Sequence, residues 1–370
     1  MSTVAKSAES LLMAMELSNS DWKLAFGSGG RMRKVTVEAG DVVGLREAMM
    51  RARHKFGLGP AVEVVSCYEA GRDGFWIHRM LEAEGVDNLV VDPASIERPR
   101  RARTVKTDRL DAEKLLEMLG RWVRGEKRVW RVVRVPEAAE EDARQLHREL
   151  ERLKKERNEH LSRIRSLLVL HGVRIKSVSA HTVGAVRDWQ GCELGEGVRQ
   201  DLNRELARLE LVRGQIAEVE SIQKEALKVP ANEAQRKAQK LLRLRSVGPV
   251  SSWTLSHEFF GWREFDNRRQ VGASAGLTGT PYASGQSSRD QGISKAGNPR
   301  VRRVMVELAW SWLRYQPHSE LSRWFWRRFG HGTSRMRRVG IVALARKLLV
   351  ALWKYVEKDE LPAGAVLKAA

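Results

Sequence analysis

A long stretch without helix-breaking residues constrains this chain more than any other feature. Residues 137–171 contain neither proline nor glycine, and they combine dense charge with regularly spaced apolar side chains. The apolar positions follow the spacing of a helix: Leu146, Leu150, Leu153, Leu161, Ile164, Leu167 and Leu168. This pattern predicts a long, partly exposed helix of the kind found in coiled-coil arms.

A second stretch, residues 197–227, has the same character. Its apolar positions also recur at helical spacing: Leu202, Leu206, Leu209, Val212, Ile216 and Val219. A segment containing glycines joins the two helices, so they are predicted to form an antiparallel hairpin or a stalk between two copies of the chain. We therefore expect a coiled-coil helical arm over residues 137–228, in which the leucines serve packing and through which the chain forms a homo-oligomer.

The first third of the chain alternates strand-like and helix-like segments. Alternating apolar residues predict three consecutive strands and two later ones. The predicted strands are 11–17, 21–27, 33–39, 61–67 and 87–93, with helices over 42–55 and 75–83 and a further helix beginning near Asp108. Three meandering strands followed by α-β-α-β-α is the order of the ribonuclease H-like, or RuvC-like, fold. We expect an α/β domain of this class over residues 1–125.

The last part of the chain is predicted to be a mainly α-helical domain over residues 240–360. Residues 240–259 indicate helix, Gly-Pro turn, helix, which is either an ordinary helical hairpin or a helix-hairpin-helix that holds a DNA phosphate. Residues 276–303 are rich in Gly, Ser and Arg, and this composition predicts a loop. A helix is expected from about Pro299, because proline suits a first helical turn.

The charge of the chain indicates a polyanionic partner. The formal net charge is +20, and residues 246–370 hold 20 Lys and Arg against 9 Asp and Glu, whereas residues 1–120 are balanced. Such a basic surface favours nucleic acid. Cys67 and Cys192 form no ligand cluster and indicate a reducing cytoplasm. We see no signal-peptide pattern and no apolar run of membrane-spanning length, so no membrane partner is expected.

Four acidic residues are predicted to meet at one edge of the sheet. Glu16 ends the first strand, Glu69 lies just past the fourth, and Asp108 and Asp111 open the next helix three residues apart, on one face. In a ribonuclease H-like sheet the first and fourth strands are neighbours and the last helix packs over their ends. Carboxylates gathered in this way repel one another. Two Mg²⁺ ions remove that cost and can act on a phosphodiester.

The local sequence around the aspartates allows a plainer interpretation. Thr107 or Asp108 can be the N-cap of the helix, and Asp111 can sit in its first turn, where the helix dipole favours a negative charge. A basic run lies just upstream, and it would hold the phosphate backbone if the carboxylates hold metal. Its members are Arg100, Arg101, Arg103 and Lys106.

Taken together, these elements resemble the DEDD-type transposases of the IS110 insertion-sequence family. The resemblance rests on Glu16, Glu69, KTDRLDA at 106–112 and GLTGTPYASGQSSRDQGISKAGNPRVR at 276–302, and it covers nearly the whole chain. It implies a bacterial enzyme of the nucleoid that cuts and rejoins DNA, guided by a structured RNA from the element's own end. It also implies that Glu16, Glu69, Asp108 and Asp111 bind Mg²⁺.

The resemblance further implies a covalent serine nucleophile, best matched by Ser284, with Ser287 and Ser288 as neighbours in the same segment. A serine there can also be only a turn residue. Cations nearby would neutralise the phosphate: Lys295, Arg300, Arg302 and Arg303. One departure is Glu16, where the family normally has Asp. A longer side chain at this position still binds metal, with shifted geometry, or it impairs this copy.

Two other functions remain open at this level. A RuvC-class nuclease would use the same four carboxylates to hydrolyse branched DNA and would not need Ser284. A non-catalytic nucleic-acid-binding scaffold is favoured by the Glu16 departure and the basic helical arms. Strand rejoining distinguishes the recombinase from the nuclease, and metal dependence distinguishes both from the scaffold.

Overall fold

The chain folds as two compact units, residues 1–136 and 137–370. The computed structural model describes residues 10–71, 74–93, 95–96, 112–284, 287–295 and 297–368, and between residues 280 and 291 it describes the backbone alone. No helix in the described ranges is long and apolar enough to cross a membrane.

A mixed five-stranded sheet forms the centre of the first unit. Its strands run in the order β3-β2-β1-β4-β5, with β2 antiparallel to both neighbours and β1, β4 and β5 parallel. The bounds are β1 Leu11–Leu17, β2 Asp21–Ser28, β3 Arg31–Glu38, β4 Val64–Glu69 and β5 Asp87–Val91. All five predicted strands are present, and the first and fourth are neighbours. β4 ends later than predicted, so Glu69 is its last residue rather than a loop residue.

Helices cover both faces of this sheet. Helices α1 (Val42–Phe56) and α2 (Trp76–Ala83) share a core with one face, which includes Met13 and Met15 of β1. Helix α3 (Ala112–Val123) packs on the other face, which includes Ala14. The alternation of side chains along β1 therefore separates two cores. Asp108, where the sequence predicts a helix start, lies outside the described residues.

The second unit begins with a pair of long helices. Helix α4 spans Ala138–Asp142, α5 Gln145–Val169, α6 Ala180–Gly184 and α7 Glu196–Lys228. Leu150 and Leu153 pack with Val212 and Ile216, and the far end of α5 packs with residues 202–209 of α7. The two helices are therefore antiparallel, and their leucines pack within one chain. The single helix predicted over residues 137–171 is wrong in detail, because a break separates α4 from α5. There Arg144 is buried, with its guanidinium 5.2 Å from the Trp262 ring centroid.

The rest of the second unit is a helical domain with one hairpin. Its helices are α8 Glu233–Leu242, α9 Pro249–Leu255, α10 Arg268–Ser274, α11 Pro299–Tyr315, α12 Glu320–Phe329 and α13 Ser334–Lys358, with a π-helical turn over Ser256–Phe260. Helix α13 passes through the core, where Leu344, Leu348 and Leu352 are fully buried. Helix α11 begins at Pro299, as predicted.

The loop predicted over residues 276–303 is wrong. Its centre is an antiparallel hairpin of β6 (Gly279–Ser284) and β7 (Ser287–Ile293). The Ser294 amide also donates to the Thr278 carbonyl at 2.8 Å, at the open end of the hairpin. A polar, glycine-rich composition concealed these strands because the hydrogen bonds of a ladder join backbone groups and need no apolar side chains.

Candidate functional site

Glu16 and Glu69 lie at the carboxyl ends of neighbouring parallel strands. The register of β1 and β4 pairs Met15 with Tyr68, and its next step brings Glu16 beside Glu69. Adjacent strands are about 4.8 Å apart, and paired residues of parallel strands point to the same face. Both glutamates belong to the face that α3 covers, since Ala14 of β1 and Cys67 of β4 lie in the α3 core.

Helix α3 lies along this face, and its C-terminal end is near the amino end of β1. The Cys67 thiol sulfur lies 3.9 Å from the Leu115 carbonyl oxygen, and Cys67 pairs with Ala14. Further along the helix, a Cβ atom on Gly120 would lie 3.7 Å from the Leu12 side chain. The N-terminal end of α3 is therefore directed towards the carboxyl end of β1.

The helix rise gives the level at which α3 begins. Ala112 precedes Leu115 by three residues, or about 4.5 Å at 1.5 Å per residue. Leu115 lies level with Ala14, and a strand rises about 3.3 Å per residue. Ala112 therefore lies at the level of Met15 to Glu16, on the glutamate face. Asp111 precedes Ala112 in the sequence, but Asp108 and Asp111 lie outside the described residues, as do Arg100, Arg101, Arg103 and Lys106.

Among the described residues, Lys23 is a basic neighbour of Glu16 on the same face. Lys23 of β2 pairs with it across the strands, and its ammonium nitrogen lies 4.0 Å from a Glu16 carboxylate oxygen. Lys23 is mostly exposed, whereas Glu16 is 16% exposed. Within the described parts of the chain, no group of three or more His, Cys, Asp and Glu side chains could hold a metal ion. The two described glutamates supply oxygen ligands of the type Mg²⁺ prefers, and a complete set needs further carboxylates.

Ser284 is the last residue of β6, at the tip of the hairpin. It pairs with Ser287, and Ala283 pairs with Ser288, so the three candidate serines flank one two-residue connection. In a hairpin with a short connection, the turn has one of a few backbone conformations, and the residues at the tip lie at the end farthest from the base. Ser284 and Ser287 are paired residues next to the connection, so the backbone does not distinguish which of them is the nucleophile.

A buried carboxylate near the base of the hairpin was missed by the sequence reasoning. Glu258 lies in the π-helical turn with a side chain only 2% exposed. Three side chains donate hydrogen bonds to it: His147 Nε2 at 2.9 Å, Arg148 Nε at 2.8 Å and Asn298 Nδ2 at 3.0 Å. We call these four residues the Glu258 cluster. Single π turns occur frequently at functional sites.

The charge of the cluster is set by opposing effects. Burial acts to raise the pKa of Glu258, but hydrogen bonds from His147 and Arg148 outweigh it and hold that pKa well below its usual range. Burial also lowers the pKa of the adjacent His257 to about 4. His257 stacks on Trp253, with ring centroids 4.1 Å apart, so it is a neutral packed ring at neutral pH.

Asn298 connects the cluster to the segment after the hairpin. Its side-chain oxygen accepts from the Arg300 and Val301 amides, which caps α11, while its amide nitrogen donates to Glu258. This is an N-cap with a second partner. Gly297 has φ of 111° and would bring a Cβ within 2.4 Å of the Ser274 carbonyl oxygen, so glycine is required there.

The cations predicted to meet phosphate have different surroundings. Arg300 and Arg303 both pair with Glu151 of α5. Arg302 donates to the carbonyl oxygens of Ala275 and Lys295. Lys295 itself is exposed. The sequence offered two signals for the missed cluster: two adjacent titratable residues, His257 and Glu258, inside an apolar run, and an asparagine placed before Pro299.

Comparison with known proteins finds transposases. Residues 238–322 match the Transposase IS116/IS110/IS902 family. A Sinorhizobium fredii protein named as transposase y4rJ is 42% identical over 97% of this chain and 94% of its own length. A second S. fredii protein, named as transposase y4qE, is 30% identical over 80% of this chain and 69% of its own. The transposase for insertion sequence element IS1328 of Yersinia enterocolitica is 31% identical over 41% of this chain and 45% of its own.

The chain belongs to the IS116/IS110/IS902 family of transposases. The resemblance drawn from the sequence is thereby confirmed at the level of the family. The metal ligands, the serine and the guide RNA remain predictions.

Proposed function

We propose that this chain is a transposase that cuts and rejoins DNA to move an insertion sequence. In this proposal the first unit is a ribonuclease H-like domain whose Glu16, Glu69, Asp108 and Asp111 bind Mg²⁺. The observation that carries it is the register of β1 and β4, which sets Glu16 beside Glu69 on the face of α3. The start of α3 at the same level supports a contribution from the aspartates that precede it.

The proposed nucleophile is the Ser284 hydroxyl. Its oxygen loses a proton to a nearby base and forms a bond to a backbone phosphorus, while the bond from that phosphorus to the leaving DNA oxygen breaks and that oxygen takes a proton. The phosphoserine ester keeps the cut strand attached. The hydroxyl of another DNA end then forms a bond to the same phosphorus while the bond from phosphorus to the serine oxygen breaks, and the proton lost by that hydroxyl restores the serine hydroxyl. Bound Mg²⁺ supplies charge stabilisation for the attacking and leaving oxygens.

The test is denaturing electrophoresis of end-labelled DNA after incubation with the full chain and Mg²⁺. We expect a protein–DNA adduct that Ser284→Ala abolishes, while Ser287→Ala, at the paired position of the hairpin, retains it. An adduct that persists in Ser284→Ala but not in Ser287→Ala would reassign the nucleophile. Cleavage that is insensitive to every serine variant would favour the hydrolytic RuvC-class nuclease.

The proposal includes a structured guide RNA and a homo-oligomer assembled through the α5–α7 arm, in the bacterial nucleoid. Support comes from the net charge of +20 and from the length of the arm. Basic side chains that release counterions make such binding steeply salt-dependent. Sedimentation of the chain with and without RNA tests the assembly, and a monomer under both conditions contradicts it.

A further inference from the structure

A groove runs beside the hairpin in the second unit. Its volume is about 1070 Å³, and the base of the hairpin forms one wall with Gly279, Gly292, Ile293 and Lys295. Helices α10, α12 and α13 form the rest. We call this feature the α13 groove.

The floor of the α13 groove is apolar. It is formed by Leu321 and Trp324 of α12 and by Val339, Val342 and Val350 of α13. The full set of α13 lining residues recurs every three or four positions, from Arg338 and Val339 to Lys354, so it occupies one face of that helix. From Val339 to Lys354 this face extends for about 22 Å. Val339 is 59% exposed.

The rim of the groove is cationic. Seven basic side chains line it: Arg268, Arg269, Lys295, Arg338, Arg346, Lys347 and Lys354. Among the described side chains that line the groove, none is a carboxylate. Lys347 lies over the Trp324 ring, 4.7 Å from its centroid. An apolar floor between rows of cations matches a ligand with flat apolar groups and regularly spaced negative charges.

We propose that the α13 groove binds a single strand of DNA, with unstacked bases against the apolar floor and phosphates on the basic rim. Proteins that bind single strands combine these two elements, and a duplex keeps its bases stacked inside and does not present them to such a floor. The base of the hairpin forms one wall, so a bound strand would lie against the hairpin whose tip carries Ser284. The choice of DNA rests on the proposed function.

The test compares the full chain with two double variants. Arg268→Ala/Arg338→Ala removes exposed cations from both sides of the groove, and Arg327→Ala/Arg335→Ala removes two exposed arginines outside its lining. Binding of a fluorescein-labelled single-stranded DNA is followed by anisotropy at several salt concentrations. We expect the groove variant to bind about ten-fold more weakly and its salt slope to fall by about 1.4, since each contact to a single strand contributes about 0.7. The control should bind as the wild type does.

A second variant tests the floor. Val339→Ser should weaken binding of the single strand several-fold and leave binding of the same sequence as a duplex unchanged, because only unpaired bases reach the floor. Equal melting temperatures of all variants show that folding is retained.

The outcomes separate this proposal from the proposed function. Unchanged affinity in the groove variant overturns the groove, even if Ser284→Ala still abolishes the adduct. Tighter binding of the same sequence as RNA, or an equal loss on duplex DNA, overturns the assignment to single-stranded DNA. If the groove variant loses single-strand binding but the wild-type chain never cuts DNA, the result supports the groove proposal and contradicts the proposed function.

Discussion

Glu16 and Glu258 have carboxylates in opposite surroundings. Glu16, at a sheet edge in the first unit, faces one lysine at 4.0 Å, the outer limit of an ion pair. Glu258, in the second unit, is buried and accepts hydrogen bonds from a histidine, an arginine and an asparagine. A carboxylate whose oxygens are all engaged holds structure together, whereas one at an edge keeps lone pairs for a cation.

The two positions should therefore respond differently to the loss of one charge. Removing the carboxylate at the sheet edge should affect chemistry and leave stability nearly unchanged. Removing Glu258 should affect stability first, because the partly buried Arg148 loses its counter-charge.

The largest effect is expected for Glu69→Gln, which removes a proposed metal ligand beside Glu16. DNA cutting should fall by about a thousandfold, corresponding to about 4 kcal/mol of lost transition-state stabilisation. DNA binding and thermal stability should change little. Rates of strand cutting at saturating Mg²⁺ measure the effect, and Glu47→Gln on the exposed side of α1 is the control. A Glu69→Gln variant that cuts at the wild-type rate removes Glu69 from the site.

The next effect is on folding. Glu258→Gln should lower the free energy of unfolding by about 3–5 kcal/mol, because it leaves Arg148 without its buried partner. Glu151→Gln is the matched control. Glu151 also forms ion pairs with arginine, here with Arg300 and Arg303, but its side chain is partly exposed. Its cost should be about 1 kcal/mol or less. Urea unfolding measures both. Equal costs in the two variants would show that burial of Glu258 is not decisive.

A pH dependence should follow from the same region. The folded pKa of His257 is about 4 against an ordinary value of 6.5, so between these values the unfolded chain binds a proton that the folded chain does not. The free energy of unfolding should therefore fall by up to about 3 kcal/mol as the pH is lowered from 6.5 to 4. The folded pKa of Glu258 is also lowered, so the free energy of unfolding should fall further when the pH drops below the ordinary pKa range of a glutamate.

Urea unfolding at several pH values measures this slope. His257→Phe should flatten the slope between pH 6.5 and 4, whereas the exposed His331→Gln should retain it. A slope unchanged in His257→Phe would assign the acid sensitivity to other groups.

The smallest effect is expected at Glu16. Glu16→Gln should change the free energy of unfolding by less than about 0.5 kcal/mol, because its ion pair is long and Lys23 is largely exposed. Thermal unfolding of Glu16→Gln and Lys23→Ala checks this. A cost of several kcal/mol would give Glu16 a structural role like that of Glu258. Glu16→Asp, which introduces the residue usual in the family, should keep DNA cutting.

The sequence by itself determined the strands, the long helices and the family, because these depend on local periodicity and on motifs that are contiguous in the chain. Alternation placed Glu16 at the end of the first strand and Glu69 just past the fourth, and the leucine spacing of residues 146–168 and 202–219 predicted the arm. It failed at the hairpin of β6 and β7, whose pairing uses backbone hydrogen bonds that composition does not reveal.

The sequence predicted that Glu16 and Glu69 share one edge of the sheet, but only the tertiary structure decided their register and the other contacts between distant residues. The register of β1 and β4 aligns glutamates 53 positions apart, and Glu258 meets His147 across a separation of 111 residues. The α13 groove likewise takes its cations from α10, α13 and the segment after the hairpin. Such encounters depend on how helices and strands pack, and because packing is fixed by the whole core, no local pattern in the sequence specifies them.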